Sequence, residues 1–512
     1  MASGPLDNRM SEDGFREREV LRARRESLER LRGKGIEPFA LNLDSVLGVR
    51  EPHRIEDVRK EFGALGPGEL RLDVRTVAGR IVLKRDMGKL KFLVIRDRSA
   101  DIQLVCNERD AEPAVFQLLD DVDLGDIVGA TGRVGTTKKG ELSIFVQRLA
   151  ILSKALRPWP EKWHGLRDPD LQQRRRYLQL ATDLDSRGIV EARARTLNAF
   201  RTHLDGRGFV EVETPVLHGT AGGAIARPFV THHRALDVDL NLRIALELYL
   251  KRLLIGGLER VYEIGRNFRN EGIDRDHNPE FTMLEVYQAY GDYETMMELG
   301  RGLVRSAAQA VRGSLRFAYQ GREMDLEGEW PRVTVLGSVS EATGEEITLD
   351  RPDLGKIAER HRIDVHPTWG PGKIVLELFE KLVEHDLWNP TFVLDFPREV
   401  SPLARPHRSE PGVVEHFDLV MAGMEIIPAY SELSDPDEQR ASFEIQAEAR
   451  RKGEEETHPV DEDFLLALEH GMPPAGGLGL GVDRLLMILA DVPSIRDVIL
   501  FPHLRPEDGR DD

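Results

Sequence analysis

Residues 267–290 read NFRNEGIDRDHNPEFTMLEVYQAY. Arg269 stands two positions before Glu271; beyond a polar stretch holding His277 come Phe281, Met283, Glu285 and Tyr287 at alternate positions. Side chains two apart in a strand share a face, so the spacing predicts two strands joined by the turn GIDRDHNP. Arg269 and Glu271 then project together from the first strand and the other four from the second. A guanidinium presents paired donors to an anionic oxygen, and a phenyl face accepts a flat heterocycle. Burying so many polar groups is costly unless each has a partner. A charged ligand supplies partners, as would an internal ion-pair network. Nucleotide binding is the expectation, without a P-loop, because no GxxxxGK[ST] stretch is present.

A second stretch, PPAGGLGLGVDRLLMILADV, alternates glycine at 477, 479 and 481 before Arg484 and an apolar helical run. A strand stripped of every second side chain admits a ligand or another backbone. Arg484 then falls at a helix N-terminus, where the amides and dipole already favour an anion.

Elements that position these residues follow from the rest of the chain. At 512 residues, two or three domains are expected. Residues 1–69 form a helical extension in which Val20, Leu21, Leu28 and Leu31 share one side of a charged helix, either packed on a neighbour or touching RNA. Residues 70–152 carry about five short alternating runs with one helical insert, which predicts an OB-type barrel. Phe92 is either a stacking platform there, with Gln103 beside it as an edge reader, or a core residue. Residues 153–180 are a linker rich in proline and tryptophan. Residues 181–512 mix helices and strands without regular alternation, predicting an α+β domain with an antiparallel sheet flanked by helices.

The net charge of −18 argues against indiscriminate coating of nucleic acid, DNA included. Residues 134–176 nonetheless hold ten Lys or Arg against four Asp or Glu, a solvated linker or a phosphate-tracking surface. One cysteine, Cys106, excludes an intrachain disulfide and fits a reducing, cytoplasmic setting. No export signal or membrane-spanning run is read.

Three stretches, GRGFVEVETPVL (206 to 217), the 267–290 segment and GLGLGVDRLLMI, resemble motifs 1, 2 and 3 of the class II aminoacyl-tRNA synthetases, in order. A barrel ahead of that domain resembles the subclass serving aspartate, asparagine and lysine. GGAIARPFVTHH, ELYLKRLLIGGLERVYEIGRNFRNEG, EVSPLAR and YSELSDPDEQ resemble the lysine members, and the likeness spans almost the full chain. It implies a six- or seven-stranded antiparallel sheet, a homodimer through motif 1 around Pro215, and ATP bound in a bent form with Mg2+. By the same likeness Arg269 holds the α-phosphate and Glu271 reads the adenine amino group. His277 lies near the distal phosphates, and Phe281 and Arg484 sandwich the adenine. Arg269 and Arg484 are the catalytic pair, and Asp418 and Glu425 hold the magnesium. Glu247, Glu285, Tyr287, Tyr430 and Glu432 surround the lysine substrate; Phe92, Gln103 and Glu141 read the anticodon of tRNA(Lys). The implied reaction is lysine activation with ATP followed by transfer to the tRNA 3′ end. A buried Glu432 without a cation would cost about 3–5 kcal/mol, so a site built around it selects a positively charged amino acid.

Four positions depart from the family pattern. Pro428 stands where an asparagine is usual, Asp418 replaces a glutamate, Leu246 replaces the proline of RIAPELYLK, and Asp276 puts a negative charge near the expected triphosphate. Two readings follow: a working lysine enzyme that tolerates the changes, or a relative with weakened charging or a different cationic amino acid.

Overall fold

The computed structural model of the protein describes residues 12–159, 168–451 and 457–506. The N-terminal stretch read for export, the centre of the linker and the last six residues lie outside the described residues. The chain divides into two compact units, residues 1–167 and 168–512.

In the first unit five strands close a barrel in the order β1-β2-β3-β5-β4: β1 Leu70–Asp86, β2 Leu90–Arg96, β3 Asp101–Asn107, β4 Ile127–Thr136 and β5 Leu142–Ser153. Alternation builds it. In β2, Leu93 and Ile95 enter the barrel core with Ile102, Leu104, Val128 and Ile144, while Phe92, Val94 and Arg96 lie half-buried on the outer face. The helical insert is Pro113–Leu119. The long helix Glu12–Gly33 sets Leu28 and Leu31 in buried positions, and buried Arg24 donates to the carbonyls of Ala155 and Leu124 at 3.0 and 2.9 Å. That helix is packed on its neighbour. Burial lifts the Cys106 thiol to about 12, leaving it unreactive.

The second unit is built on an eight-stranded sheet. Its strands are β6 Val210–Glu211, β7 Arg260–Phe268, β8 Glu280–Ala289, β9 Arg332–Thr334, β10 Thr391–Leu394, β11 His416–Met421, β12 Met424–Ser431 and β13 Ala475–Gly481, in the spatial order β9-β10-β11-β12-β13-β8-β7-β6. The expected antiparallel sheet of six or seven strands is present and widened to eight strands. Six central strands are antiparallel, and the short edge strands β9 and β6 each pair parallel to a neighbour. One face packs on the helices Leu184–Asp205, Tyr293–Arg312 and Val482–Ala490 through a core that includes Phe200, Leu284, Val286, Leu303, Leu419 and Leu485. The opposite face bears polar groups.

Two local features put them there. In β13 the glycines stand directly across from β8: Gly481 pairs with Met283, Gly479 with Glu285 and Gly477 with Tyr287. In β12 the register slips by one residue, Leu419 pairing with Ile427 but Val420 with Glu425. This bulge turns both Ile426 and Ile427 to the core and brings Glu425 onto the polar face with Pro428. Among the described residues no helix is long and apolar enough to cross a membrane.

Candidate active site

Along β8, Phe281, Met283, Glu285 and Tyr287 share the polar face, as the alternation predicted. Arg269 and Glu271 do not lie in a strand. The preceding strand ends at Phe268, and only the Arg269 amide, donating to Pro279 O at 2.9 Å, continues the ladder. The two side chains nevertheless reach one hollow, because the chain turns back over it from Glu271 to Pro279.

That hollow is a cavity of about 250 Å³ whose walls include Arg269, Glu271, His277, Phe281, Glu425 and Arg484. Asp276 and Pro428 also border it. The Arg269 guanidinium lies 5.1 Å from the Phe281 ring centroid, a cation-π contact. Burial draws its pKa below the ordinary value, while Glu271 and Glu425 pull the other way. Arg484 sits in the first turn of its helix. Its Nη1 donates to Glu425 O at 2.9 Å and its Nη2 to His277 Nε2 at 3.0 Å, while His277 Nδ1 faces Asp274 Oδ2 at 2.9 Å. The adjacent Asp483 fastens this helix to the sheet, accepting from the Thr282 amide at 2.7 Å and from Arg193 Nη1 at 2.6 Å. Asp276 is set 3.6 Å from Arg275 Nε.

A second cluster continues along the same face. Glu285, 5% exposed, accepts from the Leu246 amide at 3.0 Å and from Tyr287 OH at 3.1 Å. Burial raises its pKa to about 7. Tyr430 pairs across the sheet with Gly477, which also faces Tyr287. Glu432, 1% exposed, follows β12, and its Oε1 has no hydrogen-bond partner. Burial lifts both phenols, Tyr287 and Tyr430, well above their ordinary value, and the neighbouring carboxylates add to it. A Cβ on Gly477 would stand 2.1 Å from Glu432 Oε1 and 2.5 Å from Tyr287 Cε1, so the glycine is what admits these two groups side by side.

Sequence reasoning matched Glu432 with a cationic substrate and missed a cation that the chain itself supplies. Lys251, fully buried in the helix Glu247–Ile255, pairs with Glu247 Oε1 at 2.6 Å and with Glu432 Oε2. The signal was present as the i, i+4 spacing of Glu247 and Lys251, a pattern that ordinarily marks an exposed helix face.

Asp418 and Glu425 face the same side on adjacent strands. Burial, then Glu425, raises Asp418 well above the carboxylate range, and burial together with both of them lifts Glu384 to about 8. Asp418 Oδ1 lies 3.0 Å from His416 Nε2, which leaves its other oxygen. Among the described residues no group of three or more side chains is placed to hold a metal ion. Two carboxylates in a negative potential that Arg484 offsets only in part fit a hard cation that completes its shell with water and ligand oxygens.

These features meet in a chain whose residues 168–505 match the family model described as tRNA synthetases class II (D, K and N). The chain belongs to the class II tRNA synthetases. Residues 76–152 match a model for an OB-fold nucleic acid binding domain. The chain is 47% identical over 496 residues to the lysine-tRNA ligase of Moorella thermoacetica, covering 96% of this chain and 99% of that one. It is 48% identical over 501 residues to the lysine-tRNA ligase of Prochlorococcus marinus, covering 96% and 97%. With that of Carboxydothermus hydrogenoformans the identity is 46% over 492 residues, covering 96% and 99%.

In the barrel of this synthetase, Phe92 stands outside the core, opposite Val105, and Gln103 stands opposite Val94 on the same face. Gln103 Nε2 donates to Ser143 Oγ at 3.0 Å. Glu141, just before β5, is exposed.

Proposed function

We propose that the protein is a lysine-tRNA ligase, which joins lysine to ATP as lysyl-adenylate and then transfers the lysyl group to the 3′ end of tRNA(Lys). The observation that carries this reading is the bare Oε1 of buried Glu432, set beside Tyr287 over Gly477. Among the described residues, Lys251 is the one cation paired within a group of three buried carboxylates, Glu247, Glu285 and Glu432, and an incoming ammonium group offsets the remaining charge where a neutral side chain cannot.

In this reading the side-chain ammonium of lysine meets Glu432 and Tyr287, with Tyr430 alongside, and the α-ammonium meets Glu285 and Glu247. The substrate carboxylate lies toward Arg269. ATP occupies the arginine-lined cavity, its adenine against Phe281 with the amino group at Glu271, and its phosphates spread between Arg269, Arg484 and His277. Asp418 and Glu425 would hold Mg2+, which supplies charge neutralisation at the phosphates when bound. A lysine carboxylate oxygen attacks the α-phosphorus, the bond to the β-phosphate bridging oxygen breaks, and pyrophosphate leaves. The tRNA 3′-hydroxyl then attacks the lysyl carbonyl and AMP departs. No covalent enzyme intermediate is needed, so positioning and fixed charge carry the rate.

The barrel reads the anticodon, with Phe92 as stacking surface and Gln103 and Glu141 at base edges. A homodimer forms through the segment around Pro215, where Val210, Val216, Leu217 and Val230 leave an apolar surface 40–64% exposed. The reaction belongs in the cytosol. ATP-pyrophosphate exchange across lysine, ornithine, β-lysine and arginine tests the assignment; exchange greatest with lysine is expected, and none with any of them overturns it. Because Pro428 borders the cavity, weak charging or activation of another cationic amino acid is the second reading, recognised by slow lysine-dependent exchange or by exchange greatest with another of the four.

A further inference from the structure

The amino-acid cluster holds three buried carboxylates, Glu247, Glu285 and Glu432, at 3, 5 and 1% exposure, and one buried cation of the chain's own, Lys251. Its ammonium group bridges Glu247 Oε1 and Glu432 Oε2 and lies 5.9 Å from the Phe464 ring centroid. The two oxygens of Glu432 are therefore unequal. Oε2 is the oxygen in the ion pair with Lys251, while Oε1 has no hydrogen-bond partner and lies over the gap left by Gly477.

We propose that Lys251 is a positioning residue for the amino-acid site: it holds one oxygen of Glu432 so that the other is presented to the substrate's side-chain ammonium, one carboxylate serving two cations. The proposal rests on the lysine reading above. It also closes the charge count. Three carboxylates meet three ammonium groups, one from Lys251 and two from the substrate, while the substrate carboxylate is left to Arg269. A neutral residue at 251 would leave one buried carboxylate uncompensated in the loaded site and three in the empty one.

The groups facing this pair are Glu285, Tyr287, Tyr430, His416 and His458. Burial holds the two histidines neutral, drawing them down to about 3 and about 4. Burial works against the charged form of Lys251, but Glu247 and Glu432 outweigh it and raise its pKa. Burial and Glu247 raise Glu432, against the pull of Lys251. Without that pull the carboxylates hold protons to still higher pH, and lysine binding has to displace them.

Calorimetric titration of the full-length protein with lysine, and separately with ATP, tests this for the wild type, K251M, K251Q and K251R at about pH 6 and about pH 8. K251M and K251Q are expected to weaken lysine binding at least about tenfold at the lower pH and less at the higher, with ATP affinity kept within about twofold. K251R, which keeps the charge, restores part of the loss. K251Q keeps hydrogen-bonding capacity without charge and serves if K251M does not fold. Unchanged lysine affinity at both pH values overturns the proposal, as does an equal loss of lysine and ATP binding, the mark of a merely structural pair. Absence of lysine binding by the wild type overturns the reading of the site itself, and this proposal with it.

Discussion

The backbone amide of Leu246 donates to Glu285 Oε1 at 3.0 Å. Leucine occupies a position where the family resemblance implies proline, and proline has no amide hydrogen to give. The departure therefore supplies a donor to a carboxylate whose other hydrogen bond, among the described residues, comes from Tyr287 OH. Leu246→Pro is expected to raise the lysine KM about tenfold, in line with the loss of a hydrogen bond to a charged group, with ATP KM unchanged. Steady-state pyrophosphate exchange measures both.

The Glu285 carboxyl, pushed from an ordinary 4.5 to about 7 by burial, makes lysine binding pH-dependent. The ammonium ligand favours the ionised form, so affinity is expected to rise as pH climbs through about 7 and then level. For the empty protein the sign reverses: the folded pKa lies above the unfolded one, so this group's contribution to stability is greatest below 4.5 and is lost as pH rises to about 7. Glu285→Gln should flatten both curves, read by titration of lysine affinity and of thermal midpoint against pH.

Gly477 and Gly479 separate two effects of one glycine-rich strand. A methyl group at 477 meets Glu432 Oε1 at 2.1 Å, whereas at 479 the nearest atom is the mobile end of Met283, at 3.1 Å. Gly477→Ala is expected to raise the lysine KM at least about tenfold because the carboxylate must move, an overpacking cost of about 1–3 kcal/mol. Gly479→Ala should change it less than about threefold. Parallel exchange assays on the two variants decide the point.

Pro428 pairs across the sheet with Asp418 and borders the nucleotide cavity, yet offers neither side-chain nor amide donor. Pro428→Asn is expected to increase lysine-dependent exchange several-fold, about 1 kcal/mol of added binding. A rate that stays level or falls would show that this chain has no need of the missing donor.

The barrel and the alternation of β8 were legible because both rest on period-two patterns that the pleat enforces. The face of Phe281, Met283, Glu285 and Tyr287 was read correctly for that reason. Three features were not legible, each where periodicity stops carrying information. Arg269 and Glu271 lie past the strand end at Phe268, so their shared location comes from a loop folding back rather than from parity. Glu425 has the wrong parity for the face of Pro428 and reaches it only through a bulge. Lys251 reads as half of a solvated helix pair, and only packing against β12 reveals that it is buried against a second carboxylate.

The bulge in β12 makes the hairpin a counter of residues. Its one unmatched position is what carries Glu425 to the side of Asp418. Without the bulge, strict alternation back from Pro428 would turn that carboxylate toward the core, where burial without a partner is costly. Such a chain would lose its acidic pair and disturb its packing in one step, a lesion invisible to any survey that scores only which amino acids are present.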